Sequence, residues 1–107
     1  MKYYIYRVLF EEVAGLDRKK IVIDYLPSPV DDGSMLIVFC SKTLQMLGVY
    51  KKSGKSLLET KPLEGSLKDH YGRLSVLPVV TNRAYKFFAK KLREIPKNDF
   101  DILAGSL

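Results

Sequence analysis

The part of the sequence best suited to chemistry is the stretch from Thr81 to Pro96, in which basic and aromatic side chains are interspersed. It reads TNRAYKFFAKKLREIP. Between Arg83 and Lys97 there are six basic residues and one acidic residue, a net charge of +5 in a chain of 107 residues whose net charge is +6. Charge confined to one element attracts polyanions, whereas evenly spread charge mainly favours solubility. Because Lys and Arg contact phosphates and aromatic faces stack on exposed bases, the stretch indicates nucleic-acid binding.

The same stretch also has a purely structural interpretation. Its apolar residues recur at intervals of three and four, which predicts a helix from about Arg83 to Ile95 with one apolar face. The members of that face are Tyr85, Phe88, Ala89, Leu92 and Ile95. In this interpretation the apolar face packs on a core, the lysines are solvated, and Pro96 ends the helix. Composition alone does not decide between the two interpretations.

Other kinds of chemistry have little support in the sequence. The segment Gly48–Ser56 resembles a phosphate-binding P-loop, but five residues separate its glycines where the motif requires four. We therefore predict a surface turn there. A single His70 in a predicted loop gives no oriented base for a nucleophile, and Cys40 lies within an apolar run typical of a core. One cysteine and one histidine exclude an internal disulfide and a zinc site of the usual composition, so we expect no catalytic residues, metal or other cofactor.

Length and composition indicate one domain, residues 1–107. A chain of this length fits one small domain and is too short to build two independent cores. The longest apolar run, Met35–Cys40, has six residues, whereas a membrane span needs about 18. Arg7 interrupts the apolar start of the chain and no small-residue cleavage site follows, so we predict a cytoplasmic protein with no membrane partner. Amide side chains are few beside the 13 lysines, a bias found in heat-adapted proteins.

The predicted elements form an α+β domain. Strands are predicted at Lys2–Phe10, Ile21–Leu26, Met35–Ser41, Leu44–Tyr50 and Tyr71–Val80. The third and fourth are expected to pair as a hairpin around Ser41–Thr43 at the centre of the sheet. We predict a long surface loop over Lys51–Asp69, with one short strand near Leu57–Thr60. Glu11–Gly15 is predicted to be a turn or short helix, and Asp99–Leu103 a further turn of helix. Consecutive strands favour an α+β sheet, or a small barrel closed by a helix, over a βαβ fold.

Five segments of the chain match the motifs of a known family in the same order. They are Tyr3–Tyr6, Asp32–Cys40, Leu47–Tyr50, Tyr71–Val79 and Tyr85–Leu103. They resemble, in turn, the opening Tyr-Trp-Ile strand, the Gly-Asp-Lys-led strand, the Val-Gly-Ile-Tyr strand, the Tyr-x-Arg-Val-x-Val-x-Pro strand and the C-terminal helix with its acidic-aromatic turn in EVE-domain proteins. The resemblance extends over nearly the whole chain. This chain has no tryptophan, so tyrosine or phenylalanine would have to form any aromatic cage.

The resemblance implies a PUA-like fold, which is a small mixed β-barrel with flanking helices and a main helix near the C-terminus. EVE domains are related to the YTH readers of methylated adenine and are thought to bind nucleic acid, with a modified base in a pocket. The implied candidates for the base pocket are Tyr4, Ser41, Lys42, Arg73, Tyr85 and Phe87. The candidates for phosphate binding are Lys86, Lys90, Lys91 and Arg93. Tyr4, Tyr85 and Phe87 could equally be core residues, and Arg73 a partner in a surface ion pair.

Two other functions stay open. A ribonuclease of the related ASCH type would cleave single-stranded RNA and would depend on Lys42, Arg73 and Tyr85. A protein-interaction module would use Phe87 and the lysine face to bind an acidic partner. RNA and DNA both stay open as nucleic-acid partners.

Overall fold

The fold is built on one six-stranded mixed sheet. The computed structural model describes residues 1–23, 26, 29–75 and 90–105. Within these residues the strands are β1 Tyr3–Val8, β2 Lys20–Val22, β3 Met35–Cys40, β4 Met46–Ser53, β5 Ser56–Pro62 and β6 Leu92–Ile95. The helices among the same residues are two 3₁₀ helices, Phe10–Gly15 and Leu67–Arg73, and the α-helix α1, Lys97–Ala104. The strand order across the sheet is β2-β5-β4-β3-β1-β6. The predicted α+β class is therefore confirmed.

The hairpin of β3 and β4 lies in the middle of the sheet, as predicted. Every residue of β3 is apolar, and all of them except Met35 are buried. Alternate side chains of this strand point to opposite faces, so that Phe39 lies in one core and Val38 in the other. We call these the first and second cores. Phe100 of α1 packs in the first core. A strand that is apolar at every position needs cover on both faces, and the two cores supply that cover.

The strands β1 and β3 are parallel neighbours that end at the same edge of the sheet. Their last pair joins Val8 to Cys40. β6 is antiparallel to β1, with Leu92 opposite Tyr6, so β6 begins at the edge where β1 ends. The residues that follow β1, follow β3 and precede β6 are therefore brought together. This edge holds the candidate site.

The predicted helix over Arg83–Ile95 is wrong for its last residues. Residues 90 and 91 form a bend and Leu92–Ile95 form β6, while residues 83–89 lie outside the described part of the chain. Leu92 packs in the second core and Ile95 in the first. A spacing of three places side chains on one face of a helix but on opposite faces of a strand. The apolar residues 92 and 95 are therefore compatible with a helix that has one apolar face and with a strand that is buried on both faces. The α-helix near the C-terminus is instead α1, which contains the predicted helical turn Asp99–Leu103.

The predicted surface loop Lys51–Asp69 is also corrected. It contains the end of β4 and all of β5, joined by a turn in which Gly54 has a φ of 58°. The segment that resembled a P-loop is this hairpin. The short strand predicted near Leu57–Thr60 is part of β5, which extends over Ser56–Pro62. In β5 only Leu57 is buried, so the strand is held by its backbone pairing with β4.

The strand predicted over Tyr71–Val80 is wrong at its start, because residues 71–73 belong to the second 3₁₀ helix. Residues 76–80 lie outside the described part. Ser66 begins this helix with a capping box, in which its hydroxyl accepts a hydrogen bond from the Lys68 amide and the Asp69 carboxylate accepts one from the Ser66 amide. These bonds satisfy amide donors that a helix start leaves open.

The sheet is open among the described residues, where no pairing joins the outer strands β2 and β6. The described residues therefore form an open sheet and do not close into a barrel. The described residues also contain no helix with the length and apolar content needed to cross a membrane.

Candidate functional site

Three lysines lie together at the edge of the sheet where β1 and β3 end and β6 begins. Lys42 follows β3 by two residues, and Lys90 and Lys91 immediately precede β6. All three side chains are exposed. The Arg7 amide donates a hydrogen bond of 2.8 Å to the Lys91 carbonyl oxygen, which continues the β1–β6 pairing up to this bend. We call Lys42, Lys90 and Lys91 the basic edge.

The turn after β3 fixes the position of Lys42. The Ser41 amide donates to the Val8 carbonyl oxygen at 2.9 Å, and the Ser41 hydroxyl oxygen accepts a hydrogen bond from the Phe10 amide at 2.9 Å. Lys42 itself has a φ of 68°, in the left-handed region that favours glycine. The hydrogen bonds of Ser41 thus join the chain after β1 to the chain after β3, and they fix the backbone next to Lys42.

Lys42 contacts the first 3₁₀ helix through an ion pair and a ring. Its ammonium group donates a hydrogen bond to the Glu11 carboxylate and lies 5.4 Å from the centroid of the Phe10 ring. Phe10 is 47% exposed, so this ring face lies at the protein surface. The hydrogen bond from Lys42 is the main cause that lowers the pKa of Glu11. A cation beside an exposed aromatic ring is an arrangement that can bind both a phosphate and a base.

A cavity of about 160 Å³ opens beside the basic edge. It is lined by Tyr6, Arg7, Val8, Leu9, Glu12 and Lys91. The Lys91 ammonium lies 5.8 Å from the centroid of the Tyr6 ring, within the range of a cation–π contact. A cavity of roughly 150 Å³ is enough to hold one benzene ring. The cavity therefore has room for a single six-membered ring, with a positive charge at its wall.

The structure brings four of the predicted site residues to one edge: Ser41, Lys42, Lys90 and Lys91. Tyr4 is elsewhere. It is 5% exposed and packs in the second core, so it has the core position that the sequence left open as its alternative. The tyrosine that lines the cavity is Tyr6.

Arg73 and Arg93 are also apart from the cavity. Arg73 lies in the second 3₁₀ helix, where its guanidinium contacts the Nδ1 atom of His70. Burial, together with the Arg73 charge, lowers the pKa of His70. Arg93 is half-buried within β6 and lies opposite Ile5. The predicted residues Tyr85, Lys86 and Phe87 lie outside the described part of the chain.

The sequence analysis missed three residues of this site, namely Tyr6, Phe10 and Glu12. Phe10 was predicted as the end of the first strand and Glu12 as part of a turn or short helix, although an aromatic residue beside two glutamates, at the end of a buried strand, was a usable sign. Tyr6 shares the alternation of Tyr4 in β1, so either tyrosine could have faced a cavity. Tyr6 is identified as the tyrosine that lines the cavity only by its pairing with Leu92, which is one residue from Lys91.

A second, more open cavity of about 340 Å³ lies at the opposite edge of the sheet. Asp31 and Asp32 are among its lining residues. The Asp32 carboxylate accepts hydrogen bonds from the Lys52 ammonium at 2.9 Å and the Gly54 amide at 3.1 Å, and these contacts lower the pKa of Asp32. In the described part of the chain, no cluster of His, Cys, Asp and Glu side chains is arranged to hold a metal ion.

In comparisons with known proteins, no family model matches this chain, and no curated protein matches it at a significant level.

Proposed function

We propose that this protein binds nucleic acid without catalysis, with the basic edge on the phosphates and a base in the adjoining cavity. The proposal depends on one observation about Lys91. This residue belongs to the basic edge and also lines a cavity large enough for one ring. Phosphate and base are covalently joined in a nucleotide, so a protein that binds both must offer cations and a ring-sized space side by side.

The basic edge supports the phosphate part of the proposal. Lys42 and Lys91 come from elements on either side of β1, and both side chains are exposed. Two cations on either side of the end of β1 can contact successive phosphates of a nucleic-acid strand that crosses this edge of the sheet. Phe10 offers an exposed ring next to Lys42, where a neighbouring base could stack.

The proposal includes the EVE-like, PUA-like fold that the sequence motifs imply. The mixed sheet with one α-helix near the C-terminus supports it. The order of the five resembling segments supports it independently of the cavity. A base modification, if one is read, would be accommodated in the same cavity.

Binding is favoured over cleavage by the contacts of the polar side chains at this edge. The Ser41 hydroxyl is held by the Phe10 amide, and the Lys42 ammonium is paired with Glu11. A ribonuclease of the ASCH type would also need Arg73, which lies in the second 3₁₀ helix in contact with His70. The Ser41 hydroxyl is thus engaged in fixing the turn, and Arg73 lies apart from the basic edge.

The test is fluorescence anisotropy with labelled single-stranded RNA and DNA over a range of salt concentrations, with the probe recovered on a gel. The variant Lys90→Ala/Lys91→Ala removes two charges from the basic edge. Its matched control, Lys51→Ala/Lys55→Ala, removes the same charge from the opposite edge, where Lys51 lies opposite Met35 at the start of β3. Each phosphate contact on a single strand contributes about 0.7 to the slope of log K against log salt.

We expect salt-dependent binding of an intact probe by the wild type and the control, and a slope smaller by about 1.4 for Lys90→Ala/Lys91→Ala. Equal loss in both variants would mean that net charge alone drives binding. Absence of binding at low salt would refute the proposal, and binding to an acidic protein instead would select the interaction module. Cleavage of the RNA probe that is lost in Lys42→Ala would select the ribonuclease.

A further inference from the structure

We infer that the cavity selects guanine, with Glu12 and Lys91 reading the edge of the base. This inference rests on the proposed function and specifies its ligand. It starts from an unexpected feature of the cavity, which is a carboxylate in the wall of a site that should attract phosphate. Glu12 and Lys91 line the same cavity, so a residue that can accept hydrogen bonds and one that can donate them border the same space.

The two glutamates of the first 3₁₀ helix have different surroundings. A 3₁₀ helix has three residues per turn, so successive side chains point about 120° apart. Glu11 is directed to Lys42, with which it forms an ion pair, whereas Glu12 lines the cavity. The Glu12 amide donates a hydrogen bond of 2.9 Å to the Leu9 carbonyl oxygen, which holds the start of this helix against the end of β1. The two carboxylates are therefore chemically equal but positioned differently.

Guanine is the base whose edge complements a carboxylate and an ammonium group together. Its Watson–Crick edge offers two adjacent N–H donors, at N1 and the 2-amino group, beside the O6 acceptor. A carboxylate can accept both N–H groups at once, while a lysine can donate to O6. Adenine and cytosine each place an acceptor nitrogen beside their amino group, and uracil has one donor between two acceptors. A carboxylate facing any of these meets at least one lone pair.

The size of the cavity agrees with this assignment. At about 160 Å³ it admits one six-membered ring, and in guanine that ring carries N1, the 2-amino group and O6. The five-membered ring of the purine would then lie at the mouth, on the side of the sugar and phosphate. The remaining wall is formed by Tyr6, Arg7, Val8 and Leu9.

The experiment measures binding of short oligouridylates, and of the corresponding deoxy series, that carry one central guest base. The guests are guanine, hypoxanthine, adenine, cytosine and uracil or thymine. Hypoxanthine lacks only the 2-amino group of guanine. The variants are Glu12→Gln and the matched control Glu11→Gln, which removes the same charge from the same helix. Circular dichroism checks that both variants keep the fold.

We expect the guanine probe to bind wild type roughly tenfold more tightly than the adenine probe, since a bidentate contact discriminates by about that factor or more. Hypoxanthine should fall between them. Glu12→Gln should abolish this preference, whereas Glu11→Gln should change the affinity of all probes by one common factor.

Three results would overturn the inference. Equal affinity for all guest bases would show that the cavity does not read guanine, while leaving nucleic-acid binding intact. Uniformly tighter binding by Glu12→Gln would show that the Glu12 carboxylate only repels phosphate. No binding of any probe at low salt would refute the proposed function itself, and the inference with it.

Discussion

Tyr50 shows how a polar group is accommodated in this small interior. It is the largest of the fully buried side chains, and its hydroxyl donates a hydrogen bond of 2.5 Å to the Arg18 carbonyl oxygen. Burial, with a smaller contribution from the negative charge of Glu59, raises the pKa of Tyr50 to about 12. A phenol whose pKa is higher in the folded protein contributes stability that is complete below pH 10 and is lost as the pH rises from about 10 to about 12.

We predict that Tyr50→Phe lowers the free energy of unfolding by about 1 kcal/mol near neutral pH, because the Arg18 carbonyl oxygen loses its donor. The difference from wild type should shrink above pH 10, where ionisation of Tyr50 favours the unfolded wild-type chain. Urea unfolding of both proteins on either side of pH 10 measures this. A difference that stays constant with pH would contradict the assigned cause.

Residue identity was easier to predict than residue pairing. The buried character of Met35–Cys40 follows from composition alone, because six consecutive apolar side chains need cover. The contact between Lys42 and Glu11 does not follow from composition. The two residues are 31 positions apart, and their meeting depends on two parallel strands ending at the same edge.

At the scale of elements, Gly48 lies where the backbones of two neighbouring strands approach closely. A β-carbon at this position would lie 2.8 Å from the Lys61 carbonyl oxygen of the neighbouring strand, and 3.2 Å from the Tyr50 ring. The register of β4 against β5 shifts just beyond this point, between Val49 and Tyr50. Glycine is therefore required here by the approach of one backbone to another, and its own backbone angle plays no part.

We predict that Gly48→Ala destabilises the protein by about 1–3 kcal/mol, the usual range for an overpacked interior. The control is Gly72→Ala, since a β-carbon at residue 72 has no neighbour within 4 Å. Urea unfolding of both variants measures the difference. If both cost the same, the short distance at Gly48 is relieved by small movements and does not constrain the sheet.

Three strands, β1, β3 and β4, were predicted because their residues are apolar enough to need burial on at least one face. β5 was predicted only as a short strand near Leu57–Thr60 within a loop, and β6 was predicted as the end of a helix. β5 is mostly exposed and is held by backbone bonds that composition does not reveal. In β6 the apolar spacing is equally suited to a helix, and only its pairing with β1 decides. The sequence thus predicts strands that are stabilised by burial more fully than strands that are stabilised mainly by backbone pairing.

At the scale of the whole molecule, Asp99 joins two distant parts of the chain. This carboxylate is fully buried at the start of α1. It accepts hydrogen bonds from the Ser75 amide at 3.0 Å and from the Ser75 hydroxyl at 2.9 Å. Ser75 follows the second 3₁₀ helix, so these bonds tie that helix to α1 over the first core.

We predict that Asp99→Ala lowers the free energy of unfolding by about 1.5–3 kcal/mol, because the hydrogen bonds from Ser75 to a charged acceptor are lost. The control in the same helix is Asp101→Ala, which removes an ion pair with Lys97 and should cost only about 0.3–0.5 kcal/mol. Urea unfolding measures both. Equal costs would contradict a special role for the buried carboxylate.

About half of the candidate site could be predicted from the sequence. The lysines of the basic edge and Ser41 were identified from charge and from the family resemblance. Tyr6 and Glu12 were not, because the cavity forms where β1, the first 3₁₀ helix and the bend before β6 meet. A cavity is a property of the space between elements, and its walls are known only when the order and register of the strands are known.

The placement of β1 in the sheet has a consequence for how the chain is made. Tyr3 pairs with Met35 on one side and with Ile95 on the other, so an early strand lies between two that are synthesised later. Pairing between distant segments is slow, and an unpaired strand edge invites association with other chains. On the ribosome, β1 must therefore remain without its second neighbour until residues 92–95 have emerged from the exit tunnel. During that interval the nascent chain exposes one edge of the strand that later borders the site, which makes this stage of folding prone to association with other chains.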